Sequence, residues 1–267
     1  MADVTTRTLR PPSAPVHGTL FLPAAAAPSA AVLVIGGSGG SEPSYVGQAL
    51  AAEGLAALSV AYFARQRLPA QLRGIRLEYF MSALELLQSE LPSAATPMVV
   101  LGMSRGSEAA MLAAIHASSI RVRAVVATVP GNLVAGGLPP GGPAWLLDGR
   151  PLPYVDHAGP ECENADALIP VERVPGPVLL VAAGSDQVWP SADMARALSR
   201  RLHAHGDPHG HAVLSYPQAG HSLGYLLPDL PTGLLPPDIA DRAEDRAARA
   251  DAWPKVVTFI RQREASR

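Results

Sequence analysis

Cysteine is nearly absent. One cysteine in 267 residues, Cys162, leaves nothing for an internal disulfide and fits a reducing cytoplasm. It stands in a Pro/Gly-rich stretch between Glu161 and Glu163, whose carboxylates disfavour a thiolate. Cys162 therefore reads as structural and not catalytic. Apolar runs near ~20 residues are also lacking, so no membrane-spanning helix is expected. The opening stretch MADVTTRTLRPPSAPV holds no apolar core of a secretory signal, which again points to the cytoplasm. Nor is there a dense basic tract: 21 Lys+Arg stand against 23 Asp+Glu, a net charge of −2. That excludes a nucleic-acid binder of the electrostatic kind. Charged residues make up only 16% of the chain and apolar ones 48%, the balance of a folded domain with a large core.

What is present is Gly102-Met103-Ser104-Arg105-Gly106. An apolar run, 98–101, precedes it, and a helix-like run from Ser107 to His116 follows. Strand, Gly-x-Ser-x-Gly, helix is the nucleophile elbow of α/β-hydrolases. The turn is so tight that side chains two before and two after the serine would strike backbone, and glycine removes them. A second match, Gly36-Gly37-Ser38-Gly39-Gly40, follows another apolar strand but leads into Ser41-Glu42-Pro43-Ser44 and not directly into a helix. Context therefore makes Ser104 the nucleophile. Ser38 and Gly39 become backbone donors of an oxyanion hole, which the N–H of Arg105 completes at the helix N-terminus.

The rest of the chain is organised around that elbow. Strands are expected at 4–9, 16–22, 31–35, 56–61, 98–101, 122–129, 178–182 and 212–216. Helices are expected at 45–53, 70–89, 105–117, 192–205 and about 240–262. Unbroken Val/Leu/Ile/Ala strands alternating with helices describe a mostly parallel central sheet flanked by helices. The fold class is α/β, as a single α/β-hydrolase domain over 1–267. A Pro/Gly-rich insertion at about 131–170, carrying Trp145, reads as an irregular lid or pocket wall. A second Pro-rich stretch, 226–237, is placed to close the other side.

A serine hydroxyl at neutral pH needs a base, and the base needs an orienting carboxylate. In the α/β-hydrolase order of Ser, acid, His, Asp186 follows the strand at 178–182 and His221 follows the strand at 212–216. Both then sit on the sheet edge that carries Ser104. Asp148 and Asp156 in the insertion are alternative acids. His203, His205, His209 and His211 resemble a metal cluster in spacing, but they straddle a helix end and a turn on the opposite edge. They read as a solvated turn. No metal or organic cofactor is expected. Arg65 and Arg67 follow the strand at 56–61 and should emerge at the active-site edge, where they would bind substrate. Arg73 and Arg76, three apart, would share a helix face.

The GGSGG loop, AYF at Ala61, Leu68-Pro69, LEYF at Leu77, LGMSRGSE at Leu101, IPVERV at Ile169, SDQVWPS and Gly220-His221 together carry a resemblance. Over roughly residues 30 to 262 the chain resembles the C-terminal catalytic domain shared by acyl-CoA thioesterases and bile acid-CoA:amino acid N-acyltransferases. The resemblance implies that Ser104, Asp186 and His221 act on an activated acyl thioester. The animal members carry an N-terminal β-sandwich. With about thirty residues before the core, that domain is expected to be missing here. Members that transfer acyl groups to an amine tend to use cysteine at the elbow. Serine here favours hydrolysis or transfer to water-like acceptors.

The sequence reading is thus a cytoplasmic serine hydrolase, a thioesterase or acyltransferase on an acyl-CoA or acyl-carrier thioester. Its expected partner is a small-molecule acyl thioester or ester, with neither nucleic acid nor membrane. The rival readings are an oxygen-ester carboxylesterase of dienelactone-hydrolase type and a non-catalytic α/β-hydrolase binding module.

Overall fold

The computed structural model describes residues 3–24, 26–156 and 164–262, so Cys162 lies outside the described residues. In chain order the elements are β1 (Val4–Leu9), β2 (His17–Pro23), β3 (Ala31–Ile35), α1 (Ser44–Ala52), β4 (Ala56–Ala61) and β5 (Ile75–Arg76). They continue with α2 (Glu78–Ser89), β6 (Met98–Met103), α3 (Arg105–His116), β7 (Val122–Thr128), β8 (Trp145–Leu147) and β9 (Arg150–Pro151). The last are β10 (Val178–Ala183), α4 (Ser191–Ala204), β11 (His211–Tyr216) and α5 (Ala243–Arg261).

Unbroken apolar strands have two buried faces, and the chain supplies a helical layer for each. Eight strands form one sheet in the order β1-β2-β4-β3-β6-β7-β10-β11. β2 runs antiparallel to both β1 and β4, and all other neighbours are parallel. The two-residue strand period sends alternate side chains to opposite layers. Ala31, Leu33 and Ile35 of β3 join α2, α3 and α4 in one core. Val32 and Val34 join α1 and α5 in the other. The result is a three-layer α/β arrangement, and the parallel strands deliver their C-terminal ends to one edge.

Two expectations need correction. The helix expected over 70–89 begins only at Glu78. Gly74 adopts φ +64°, and Ile75 and Arg76 pair with Trp145 and Leu146 instead of winding on. Arg73 and Arg76 therefore share no helix face. The Arg73 guanidinium donates to the carbonyls of Pro139 and Pro140, and Arg76 approaches Glu78. The insertion at 131–170 is the second. Its described residues supply β8 and β9, which join β5 in a small sheet, and Val134, Ala144, Trp145 and Ile169 are sunk in the core shared with α2 and α3.

Candidate active site

Ser104 sits between β6 and α3 at φ 52°, ψ −123°, a backbone conformation that non-glycine residues seldom adopt. Sterics dictate the flanking glycines. A Cβ on Gly102 would lie 2.2 Å from the Gly106 carbonyl oxygen, and one on Gly106 would lie 2.3 Å from that of Gly36. The Ser104 N–H donates to the Thr128 carbonyl of β7 at 2.9 Å, which locks the turn to the sheet.

From Ser104 a chain of polar atoms runs across the sheet edge. His221 Nε2 is 3.0 Å from Ser104 Oγ, and His221 Nδ1 is 2.9 Å from Asp186 Oδ2. The Asp186 side chain is 1% exposed and that of His221 6%. A carboxylate this dry needs donors. The N–H groups of Val188 and Trp189 donate to its Oδ1, and the Ser191 hydroxyl donates to Oδ2 at 2.7 Å. The segment DQVWPS is thus a carboxylate-holding loop that closes onto the first residue of α4. Asp148 and Asp156 take no such position. Asp148 lies in the β8–β9 turn, its N–H donating to Glu78.

The loop carrying His221 is itself anchored. Asp245, fully buried in the first turn of α5, accepts the Gly220 N–H at 2.5 Å. Burial raises its carboxyl pKa, but hydrogen bonds from Arg242 and from Gly220 outweigh that and hold it below the usual range. Arg249, also fully buried, donates to the Ser222 hydroxyl, the Leu227 carbonyl and Asp241. Ser191, Asp245 and Arg249 escaped the sequence reading. Only the position of Ser191 and Asp245 in a first helical turn hinted at a polar duty.

Ser104 and His221 face a narrow cavity of about 60 Å³. Gly36, Gly37, Ser38 and Gly39 form one wall, Met103 and Val129 the floor, and Tyr45, Tyr225, Pro236 and Ile239 the remainder. The stretch expected to close the far side does reach the cavity, through Pro236. The insertion expected as a lid does not: none of its described residues lines the cavity. Trp145, expected to bind substrate, is fully buried. Its indole N–H donates to Glu108 at 2.8 Å, and its ring packs against Tyr62 and Phe80. A large indole with an available buried acceptor gains more inside the core than at a pocket wall.

Gly37 is the loop residue nearest the serine, with a Cβ there falling 3.2 Å from Ser104 Cβ. The buried Tyr62 hydroxyl contacts the carbonyls of Gly36 and Gly37 at 2.9 and 3.0 Å. In a trans peptide C=O and N–H point in opposite directions. Tyr62 therefore turns the N–H groups of Gly37 and Ser38 away from itself. Burial holds the Tyr62 phenol far above its ordinary pKa, so it stays a neutral donor. Arg105 begins α3, where its backbone belongs to the elbow, while its side chain is buried against Glu108 and the Ala135 carbonyl. Burial pushes the Glu108 carboxyl up, against the opposing pull of Arg105 and the Trp145 and Ala135 N–H groups. Arg65 and Arg67 are exposed in the loop after β4 and do not line the cavity.

The histidines of the 203–211 stretch lie at the opposite end of the sheet. His211 Nδ1 meets Asp207 at 2.6 Å, Nε2 meets the Ser199 hydroxyl at 2.8 Å, and the His203 ring stands edge-on 4.7 Å away. Both ring nitrogens of His211 are occupied, tying the end of α4 to β11. His205 and His209 are exposed.

Comparison with known proteins identifies the family and the fold. The family described as BAAT / acyl-CoA thioester hydrolase C terminal matches residues 155–233. Human acyl-coenzyme A thioesterase 1 is 32% identical over 269 residues, covering 92% of this chain and 62% of that protein. The human mitochondrial acyl-coenzyme A thioesterase 2 is also 32% identical, covering 92% of this chain and 54% of its own length. The chain belongs to the BAAT/acyl-CoA thioester hydrolase C-terminal family. It spans 54–63% of the length of the first human relatives. Among solved structures, a dienelactone hydrolase-like promiscuous phosphotriesterase from metagenomic libraries aligns with TM-score 0.63 at 16% identity, over 97% of this chain and 99% of its own. A truncated carbohydrate esterase from gut microbiota aligns with TM-score 0.64 at 14% identity, over 98% of this chain and 97% of its own. At such identities the likeness establishes the fold alone, that of an α/β-hydrolase.

Proposed function

We propose that this chain is a serine hydrolase of acyl thioesters, working through Ser104, His221 and Asp186. The observation that carries the reading is the 3.0 Å approach of His221 Nε2 to Ser104 Oγ, with Asp186 behind the imidazole. Ser104 Oγ attacks the thioester carbonyl while its proton passes to His221 Nε2. The developing oxyanion is met by the N–H of Arg105 and by the amides at Ser38 and Gly39. Collapse expels the thiolate, which takes the proton from His221, and leaves an acyl-Ser104 ester. Water, deprotonated by His221, then cleaves that ester to the carboxylic acid and restores the serine. An alcohol or amine in place of water would make the same chemistry an acyl transfer. Asp186 holds Nδ1–H and stabilises the imidazolium.

The substrate follows from kinship with relatives named acyl-coenzyme A thioesterases. A phosphate-bearing leaving group calls for cations, and Arg65 and Arg67 in the loop after β4 are assigned to it. The second reading, an oxygen-ester carboxylesterase, is favoured by one observation: no Lys or Arg side chain lines the cavity among the described residues. A single domain and a cytoplasmic setting belong to the same proposal. The single cysteine supports that setting. The test is a panel of acyl-CoA and acyl-pantetheine thioesters beside p-nitrophenyl esters, with fluorophosphonate labelling mapped by mass. Labelling at Ser104, and turnover abolished by Ser104→Ala but not by Ser38→Ala, is the expected result. An unlabelled protein inert on every substrate would be a binding module.

A further inference from the structure

The cavity beside Ser104 is too small for a long acyl chain, and one side chain sets its limit. A buried water needs about 10–15 Å³ of such space. The 60 Å³ cavity therefore accepts about four to six non-hydrogen atoms. After the reacting carbonyl is placed, about two to four carbons remain. Tyr45, the second residue of α1, forms part of the cavity wall. Its ring stacks on Tyr225 at 6.3 Å and 23°, and its hydroxyl reaches Met103 Sδ at 3.5 Å. Met103 is the residue immediately before Ser104, so the wall is braced directly against the elbow. Burial raises the Tyr45 phenol pKa well above its ordinary value, so the wall is uncharged.

Tyr45 also lines a second space. This is an open groove of about 650 Å³ between α1 and the segment after His221, lined by Val4, Ala49 and Leu227 but also by Asp3, Gln48 and Asp229. One ring thus faces both a small catalytic cavity and a larger groove whose apolar residues could take a hydrocarbon tail. We infer that Tyr45 is the specificity-determining residue for acyl length. It restricts this enzyme to short acyl groups of about three to five carbons, the carbonyl carbon included, and its removal joins the cavity to the groove. This inference rests on the Ser104 hydrolase reading and adds the substrate class.

The experiment compares kcat/KM on p-nitrophenyl acetate, butyrate and octanoate for wild type, Tyr45→Ala, Tyr45→Phe and Ser104→Ala. Wild type should lose at least tenfold between butyrate and octanoate. Each methylene that gains cover is worth about fourfold, so Tyr45→Ala should raise the octanoate-to-acetate ratio at least tenfold. Tyr45→Phe keeps the ring and should keep the wild-type ratio. A wild type that cleaves octanoate as well as butyrate overturns the inference, and that result needs no variant to fold. So does a folded Tyr45→Ala whose ratio stays within twofold of wild type. Failure of the underlying reading looks different: Ser104→Ala would retain hydrolysis at every chain length.

Discussion

Tyr62→Phe deletes one oxygen atom that no substrate touches, and it should slow the reaction. The hydroxyl reaches the Gly36 and Gly37 carbonyls at 2.9 and 3.0 Å from a side chain only 1% exposed. One phenol proton serves both acceptors, so the direct loss is one shared hydrogen bond, about 0.5–1.5 kcal/mol. The carbonyls left without a donor bring the total to about 1–3 kcal/mol. At about 2–4 °C per kcal/mol for a chain of this size, Tm should fall by roughly 2–12 °C. The effect on rate follows from what the bond orients. With those carbonyls released, the Ser38 amide, which shares its peptide with the Gly37 carbonyl, can rotate away from the oxyanion. Complete loss of one oxyanion donor costs about 10²–10³ in kcat. Tyr62→Phe loosens a donor without deleting it, so kcat on p-nitrophenyl acetate should fall about 10- to 100-fold. Ground-state binding does not use the oxyanion contact, and KM should stay within about threefold. The assay is steady-state kinetics beside thermal unfolding. A variant that loses the expected stability yet keeps kcat within twofold of wild type would refute the orienting role. Tyr62 would then only fill space between Phe63, Phe80 and Trp145.

The other predictions concern the neighbouring groups. Asp186→Asn should lower kcat about 10³–10⁴-fold with the fold intact, because the imidazole loses its orienting partner. Asp148→Asn and Asp156→Asn should leave kcat unchanged, and the same assay checks all three. Glu108→Ala strands the Arg105 guanidinium, the Trp145 indole N–H and the Ala135 N–H in the core. Removing one partner of a buried ion pair costs about 3–5 kcal/mol, read as a large drop in the urea unfolding midpoint. Arg65→Ala combined with Arg67→Ala should raise KM several-fold for an acyl-CoA and leave it unchanged for a neutral p-nitrophenyl ester. Equal effects on both substrates would remove the phosphate assignment.

Some of this could be read from the chain because it obeys local rules. β3 and β4 match their sequence-expected bounds residue for residue, since runs such as AVLVI have nowhere to go but between two helical layers, and the mostly exposed edge strand β1 matches through its alternation. The elbow was legible for the same reason: the clashes awaiting a Cβ at Gly102 and Gly106 are short-range, and only glycine escapes them. The small sheet was not legible, because β5 and β9 have two residues each and β8 three, too few to show a period. Trp145 was misplaced for a deeper reason. A Pro/Gly-rich insertion signals a surface loop, and nothing near Trp145 says that its acceptor is Glu108, 37 positions earlier on α3. The Asp245–Gly220 contact spans 25 positions and is equally silent. Burying a polar group is unfavourable until its partner arrives, and the partner is chosen by tertiary proximity and not by sequence spacing. The backbone requirements of the Gly102–Gly106 turn are therefore written where the turn is, and the donors that hold the Asp186 carboxylate lie within its own loop. The groups that hold the His221 loop and the glycine loop are written elsewhere. Tyr62, Asp245 and Arg249 are of that second kind, and each acts on a residue it does not neighbour in sequence.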